Sequence, residues 1–157
     1  MVQIGLEATF VAALLCLAAI DLERRLLPNK IVYPLATLGI VAALLLPGRA
    51  LVEHLLAGAG ASVFLLLPAV AYPPGMGMGD VKLAGAMGLF LGVAVIPALL
   101  VAFVSGALAG VAILLREGLG ARKKALPFGV FLALGGVTGV LAGPELSGLY
   151  REAFLVA

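Results

Sequence analysis

The stretch Pro73-Pro74-Gly75-Met76-Gly77-Met78-Gly79-Asp80-Val81-Lys82-Leu83 decides how the rest of the chain is read. Three glycines alternate with two methionines and lead into a carboxylate at the mouth of a long apolar run. Ionisable groups at membrane depth are costly and mark functional sites by default. Asp80 has one candidate partner, Asp21, which also stands at the end of an apolar run. Whether those two acids can meet depends on the chain around them.

Of the 157 residues, 64% are hydrophobic and only 11% are charged, where a soluble domain carries about 25% charged residues. The chain therefore reads as a membrane protein. A hydrocarbon core of ~30 Å takes about 20 apolar residues per helix. The expectation is an all-α polytopic helical bundle with about six transmembrane helices, forming a single domain over residues 1–157. Membrane lipid is then a partner, and nothing points to nucleic acid. Cys16 is the only cysteine, which excludes a disulfide within the chain and a thiolate metal cluster. It reads as a small buried apolar residue. Residues 1–20 lack the basic start of a cleaved signal.

Six apolar segments are visible, at residues 3–20, 31–46, 51–71, 81–91, 98–115 and 128–142. The acids and bases of 21–30 form the first loop, in which Pro28 discourages helix at Leu27. Pro34 falls in the tolerant first turn of the second segment, and Pro68 is a kink site in the third. Residues 81–115 exceed one ordinary span, so Gly92 and Pro97 divide them. His54, the only histidine, stands at the entrance of the third segment and reads as a solvated interfacial residue. Residues 144–157 read as an interfacial tail.

Lysine and arginine in short loops orient a membrane protein. With six crossings, one side holds Arg24, Arg25, Lys30, Lys82, Arg116, Arg122, Lys123 and Lys124, and the other holds Arg49 and Arg151. The first side is expected to be cytoplasmic. Asp21 ends the first crossing and Asp80 begins the fourth, so both acids fall on that face. Small residues recur at spacing four, as in Gly58 with Ser62, Gly88 with Gly92, Gly106 with Gly110, and Gly135 with Gly139 and Gly143. In lipid, such positions let helices pack closely.

Two carboxyl groups held together in a low dielectric share one proton rather than both ionising. The ionised member takes a proton from water and the protonated one donates to a carbonyl oxygen. That is peptide hydrolysis with neither a metal nor a cofactor. The bare backbone at Gly77 and Gly79 suits close approach of another segment. Simpler readings exist: Asp21 pairing with Arg24 or Arg25, Asp80 capping a helix, and Lys82 snorkelling to headgroups.

Gly77-Met78-Gly79-Asp80 resembles the GxGD signature of intramembrane aspartyl proteases. With Lys82 and Leu83 it is more similar to the type IV leader peptidase (prepilin peptidase) family. Asp21 followed by Leu27-Pro28-Asn29 resembles that family's first aspartate motif, with Leu27 where isoleucine is usual. Leu126-Pro127-Phe128-Gly129-Val130-Phe131-Leu132-Ala133-Leu134-Gly135 resembles a third motif, with Val130 for a proline. The resemblance implies that Asp21 and Asp80 are catalytic. It also implies that Gly77, Gly79, Lys82, Pro28, Asn29, Pro127, Phe128 and Gly129 shape the site. The implied substrate is a prepilin-like or preflagellin-like membrane protein, cut after a basic leader and just before an apolar helix, at the cytoplasmic face of the inner membrane. The chain resembles the compact form without an N-terminal cysteine-containing domain, which puts N-methyltransferase activity in doubt. Arg122, Lys123 and Lys124 are expected to meet anionic headgroups. A rival reading is a small transporter or ion-relay subunit using the same acids, which would want polar residues along several helices.

Overall fold

The computed structural model describes residues 1–71, 76–117 and 126–154, with backbone alone at 117 and 143–154. The expectations for Pro73 to Gly75, for Arg122, Lys123 and Lys124, and for the Arg151 side chain lie outside the described residues. The chain forms α1 (Val2–Arg24), α2 (Asn29–Leu45), α3 (Leu51–Ala71), α4 (Met78–Leu91), a single 3-10 turn (Gly92–Ala94), α5 (Val95–Glu117) and α6 (Phe128–Phe154). No strand occurs among the described residues. The fold is a membrane helical bundle, and large apolar side chains such as Leu15, Leu44, Leu56 and Leu100 cover its outside.

Three stretches are long and apolar enough to cross a membrane: Val2–Arg24, Leu51–Ala71 and Met78–Arg116. The third runs 39 residues and turns back on itself at Gly92. There φ is +60°, a backbone conformation open to glycine and strained for other residues. Asn29–Leu45 and Phe128–Ala142 are shorter apolar helices.

Several boundaries differ from those read in the sequence. α1 does not stop at Asp21, because Leu22, Glu23 and Arg24 are sound helix formers. It ends at Arg25, whose φ is +50° and whose amide donates to the Asp21 carbonyl at 2.8 Å. Pro28 is the extended N-cap of α2, and its carbonyl accepts from the Ile31 and Val32 amides. The helix starts early enough that Pro34 lies past its first turn. α4 begins at Met78, so Gly79 and Asp80 belong to its first turn instead of a loop. α6 continues through Pro144 to Phe154, where a separate tail was expected.

α4 is the buried centre of the bundle, enclosed by α2, α3 and α6. Its glycines explain how it fits. A Cβ at Gly88 would stand 2.6 Å from Gly58 Cα, and one at Gly39 would stand 2.7 Å from the Leu89 carbonyl carbon. Gly85 lies against Ser62, and Gly135 against the Ala98 carbonyl. The Gly58–Ser62 and Gly135–Gly139 spacings are thus real packing seams. Gly106 and Gly110 make only ordinary contacts with Phe128, Phe131 and Leu126, and Gly92 is a turn.

The helix directions follow from the contacts. α4 starts beside Leu27 and ends against the beginning of α3, where His54 Nδ1 donates to the Leu89 carbonyl at 3.0 Å. α5 then returns along α3. Phe64 and Phe103 meet edge to face at 5.7 Å, and Phe103 tilts against Phe128 at 5.2 Å. The end of α1 and the starts of α2, α4 and α6 therefore gather at one end of the bundle. Two expectations are corrected here. His54 is buried rather than interfacial, because it serves a carbonyl at the end of α4. Cys16 is exposed rather than buried, because it faces outward from α1.

Candidate active site

Asp21 and Asp80 are two of the three buried polar side chains among the described residues, 5% and 7% exposed. Both line one cavity of about 450 Å³ at the gathered end of the bundle. Its wall is about evenly polar and apolar, unlike the greasy surroundings. Asp21 reaches it from the last turn of α1, and Asp80 from the first turn of α4.

Each carboxylate is held by a backbone amide at a helix start. Asp21 Oδ2 accepts from the Gly129 N–H at 2.9 Å, across 108 residues of sequence. Asp80 Oδ2 accepts from the Gly77 N–H at 3.1 Å, the N-cap of its own helix. The first amides of a helix have no partner within it, and their alignment favours a negative group there. The same backbone need thus serves both acids, once in cis on α4 and once in trans on α6. Asp80 does cap a helix, as the simpler reading had it, but from the first turn and not from the N-cap position.

Two glycines are fixed by this geometry. A Cβ at Gly129 would stand 2.8 Å from Asp21 Oδ2 and 3.1 Å from Leu27 Cδ2. One at Gly79 would stand 2.9 Å from Leu27 Cβ. Leu27 is therefore a spacer between the two helix starts, buried at 7% exposure. Gly77 has no such conflict, with only an ordinary 3.6 Å approach to Asp80 Oδ2.

Asn29, Gly77, Gly79, Lys82, Pro127 and Phe128 line the cavity. Gly129 acts from beneath it through its amide. Pro28 does not line it and works by starting α2. Lys82 Nζ donates to Asn29 Oδ1 at 3.2 Å and lies 5.5 Å from the centre of the Tyr33 ring. It ties α4 to α2 on the rim. Arg25, Leu26, Met76, Met78 and Leu126 also line the cavity and were not singled out from the sequence. Leu26 and Met76 flank motif residues, and Met78 and Leu126 lie within the quoted motifs.

Residues 8–115 match a protein-family model described as the type IV leader peptidase family. The chain belongs to the type IV leader peptidase family. The matched residues take in Asp21 and Asp80 and stop short of Pro127. Curated relatives carry the name prepilin leader peptidase/N-methyltransferase. The protein from Dichelobacter nodosus is 34% identical over 155 residues, 94% of this chain and 52% of its own length. Those from Stutzerimonas stutzeri and Pseudomonas putida are 32% and 38% identical, over 96% and 85% of this chain and 54% and 48% of their own lengths. The chain thus spans about half the length of these type IV leader peptidase relatives. No solved structure matches it.

Proposed function

We propose that this chain is a membrane aspartyl endopeptidase that removes the basic leader from type IV prepilin-like or preflagellin-like precursors. The observation that carries the proposal is the shared cavity, with two buried acids each fixed through one oxygen by a helix-start amide. The names of the relatives supply the substrate class. The proposal extends to peptide hydrolysis and not to methyl transfer.

In the proposed reaction the acid pair carries one proton between its members. The ionised carboxylate takes a proton from a water as that water's oxygen attacks the scissile carbonyl carbon. The protonated carboxyl donates its proton to the carbonyl oxygen. Collapse of the tetrahedral species breaks the C–N bond and a proton passes to the leaving amine. The products are a carboxylic acid and a free amino terminus, and the pair again holds one proton. The order in which the two acids titrate belongs to the pair. Asp21 and Asp80 are the proposed catalytic residues, and Leu27, Gly79 and Gly129 hold their spacing.

The excess of lysine and arginine in the loops at this end supports a cytoplasmic-facing site in the inner membrane. An ion relay is the weaker reading. The Ser105 and Thr138 hydroxyls bond to carbonyls of their own helices, Val101 and Gly135, instead of lining a polar path.

Asp21→Asn and Asp80→Asn tested separately on a prepilin-like precursor should each lose at least about 100-fold in processing. Both proteins should still accumulate in the membrane. Normal cleavage by either variant would reject the acid-pair mechanism.

A further inference from the structure

A second hollow lies apart from the acid pair. α3 and α5 run side by side but splay, leaving an almost wholly apolar groove of about 1070 Å³ that opens to the outside of the bundle. Leu56, Gly60 and Phe64 form one wall, and Ile96, Leu100 and Phe103 the other. From Val52 to Phe64 the groove follows α3 for twelve residues, roughly 18 Å or more than three helical turns.

We infer that this groove docks the apolar helix of the precursor while its leader is cut, an inference that rests on the peptidase reading above. Three features of the groove point to a helix as occupant. It runs parallel to the bundle helices and is long enough for several turns. The α3 wall holds Gly60, where an added Cβ would meet nothing within 4 Å. A glycine unused by the chain's own packing is where a second helix backbone can come close. The groove also ends next to the cavity that holds the acid pair. Phe103 closes its near end and packs at 5.2 Å on Phe128, which lines the catalytic cavity.

The geometry gives a direction. A peptide bond held between Asp21 and Asp80 sits at the end of the bundle where α3 finishes. The apolar segment on the far side of the cut must leave that cavity into hydrocarbon. Past Phe128 and Phe103 it enters the groove and runs toward Val52 and Glu53 at the other end. The groove then selects precursors by the apolar helix beyond the cut, while the cavity acts on the bond itself.

Photocrosslinking tests this in membrane vesicles with the full chain and a precursor that carries a basic leader and an apolar helix. A benzophenone amino acid is placed at Leu56 or Leu100 in the groove, and at Leu15 or Leu44 on exposed faces of α1 and α2. The Asp80→Asn background holds the precursor uncut. Crosslinks to the precursor are expected from Leu56 and Leu100 and not from Leu15 and Leu44. In the otherwise unaltered chain, Gly60→Phe fills open space and should raise KM for the precursor about fivefold or more with kcat within about twofold. Crosslinks from the groove to lipid alone, crosslinks chiefly from α1 or α2, or an unchanged KM would each overturn the docking site. Failure of the unaltered chain to cleave the precursor at all would instead reject the peptidase reading.

Discussion

The two ends of α4 answer the same backbone need in opposite ways. At its start, the amide of Gly77 is met by the carboxylate of Asp80, beside a cavity that also holds Asp21. At its finish, carbonyls without helical partners are met by bases. Arg49 Nη1 donates to the Phe90 carbonyl at 2.7 Å, and His54 donates to Leu89 at 3.0 Å. Arg49 also lies 5.4 Å over the Phe90 ring, which stacks on Phe10 at 4.0 Å. Burial pulls the Arg49 guanidinium below its ordinary value, and the nearby Glu7 carboxylate pushes it back up. Acid at the start and base at the finish both suit the helix dipole. One end stays open and the other is plugged. The plugged end fixes the height of α4 in the bundle, and so the depth at which Asp80 meets Asp21.

That contrast can be broken from either side. The largest effect is expected at the open end from Gly129→Ala. The new methyl group would push on the Asp21 carboxylate, and a misplacement of about 1 Å costs about 100-fold in rate. Single-turnover cleavage alongside thermal unfolding in detergent would separate lost rate from lost fold; an unchanged rate would mean that the reaction tolerates a displaced Asp21 carboxylate.

At the plugged end the order should reverse, with stability falling more than rate. Arg49→Met leaves the Phe90 carbonyl without its donor, at about 1–3 kcal/mol of destabilisation. The rate per folded molecule should stay within about twofold of the parent. A large rate loss with intact stability would show the two ends to be coupled more tightly than a simple anchor allows. His54→Phe should cost less, about 1 kcal/mol, read as a shift in the unfolding midpoint. The smallest effect is expected from Lys82→Met on the cavity rim. Its bond to Asn29 is exposed, so stability should change by about 0.5–1 kcal/mol at most. A collapse of cleavage in that variant would move Lys82 from tying helices to binding substrate.

Much of this architecture was legible in the sequence. Prolines and glycines placed the breaks near Pro28 and Gly92. An even number of crossings between Asp21 and Asp80 put both acids at one end. The basic loops marked that end as distinct. The hidden part was tertiary. The amide that holds Asp21 belongs to Gly129, and no local pattern announces a partner so far along the chain. Leu27 looked like a mild departure from a motif, yet its contacts with Gly79 and Gly129 make it the spacer of the site. His54 looked solvated because apolar neighbours and a single titratable ring say nothing about a carbonyl supplied by another helix. Cys16 was misplaced for the converse reason, since in lipid an apolar surface is no sign of burial. The lengths of α1 and α4 were missed by about one turn each, because helix continued through residues that read as loop.

The long reach from residue 21 to residue 129 has a consequence for biogenesis. A ribosome delivers the acid first and the amide that holds it 108 residues later. Until α6 has inserted, Asp21 lacks the donor that fixes its Oδ2, so the arrangement of the two acids is completed only when that helix arrives.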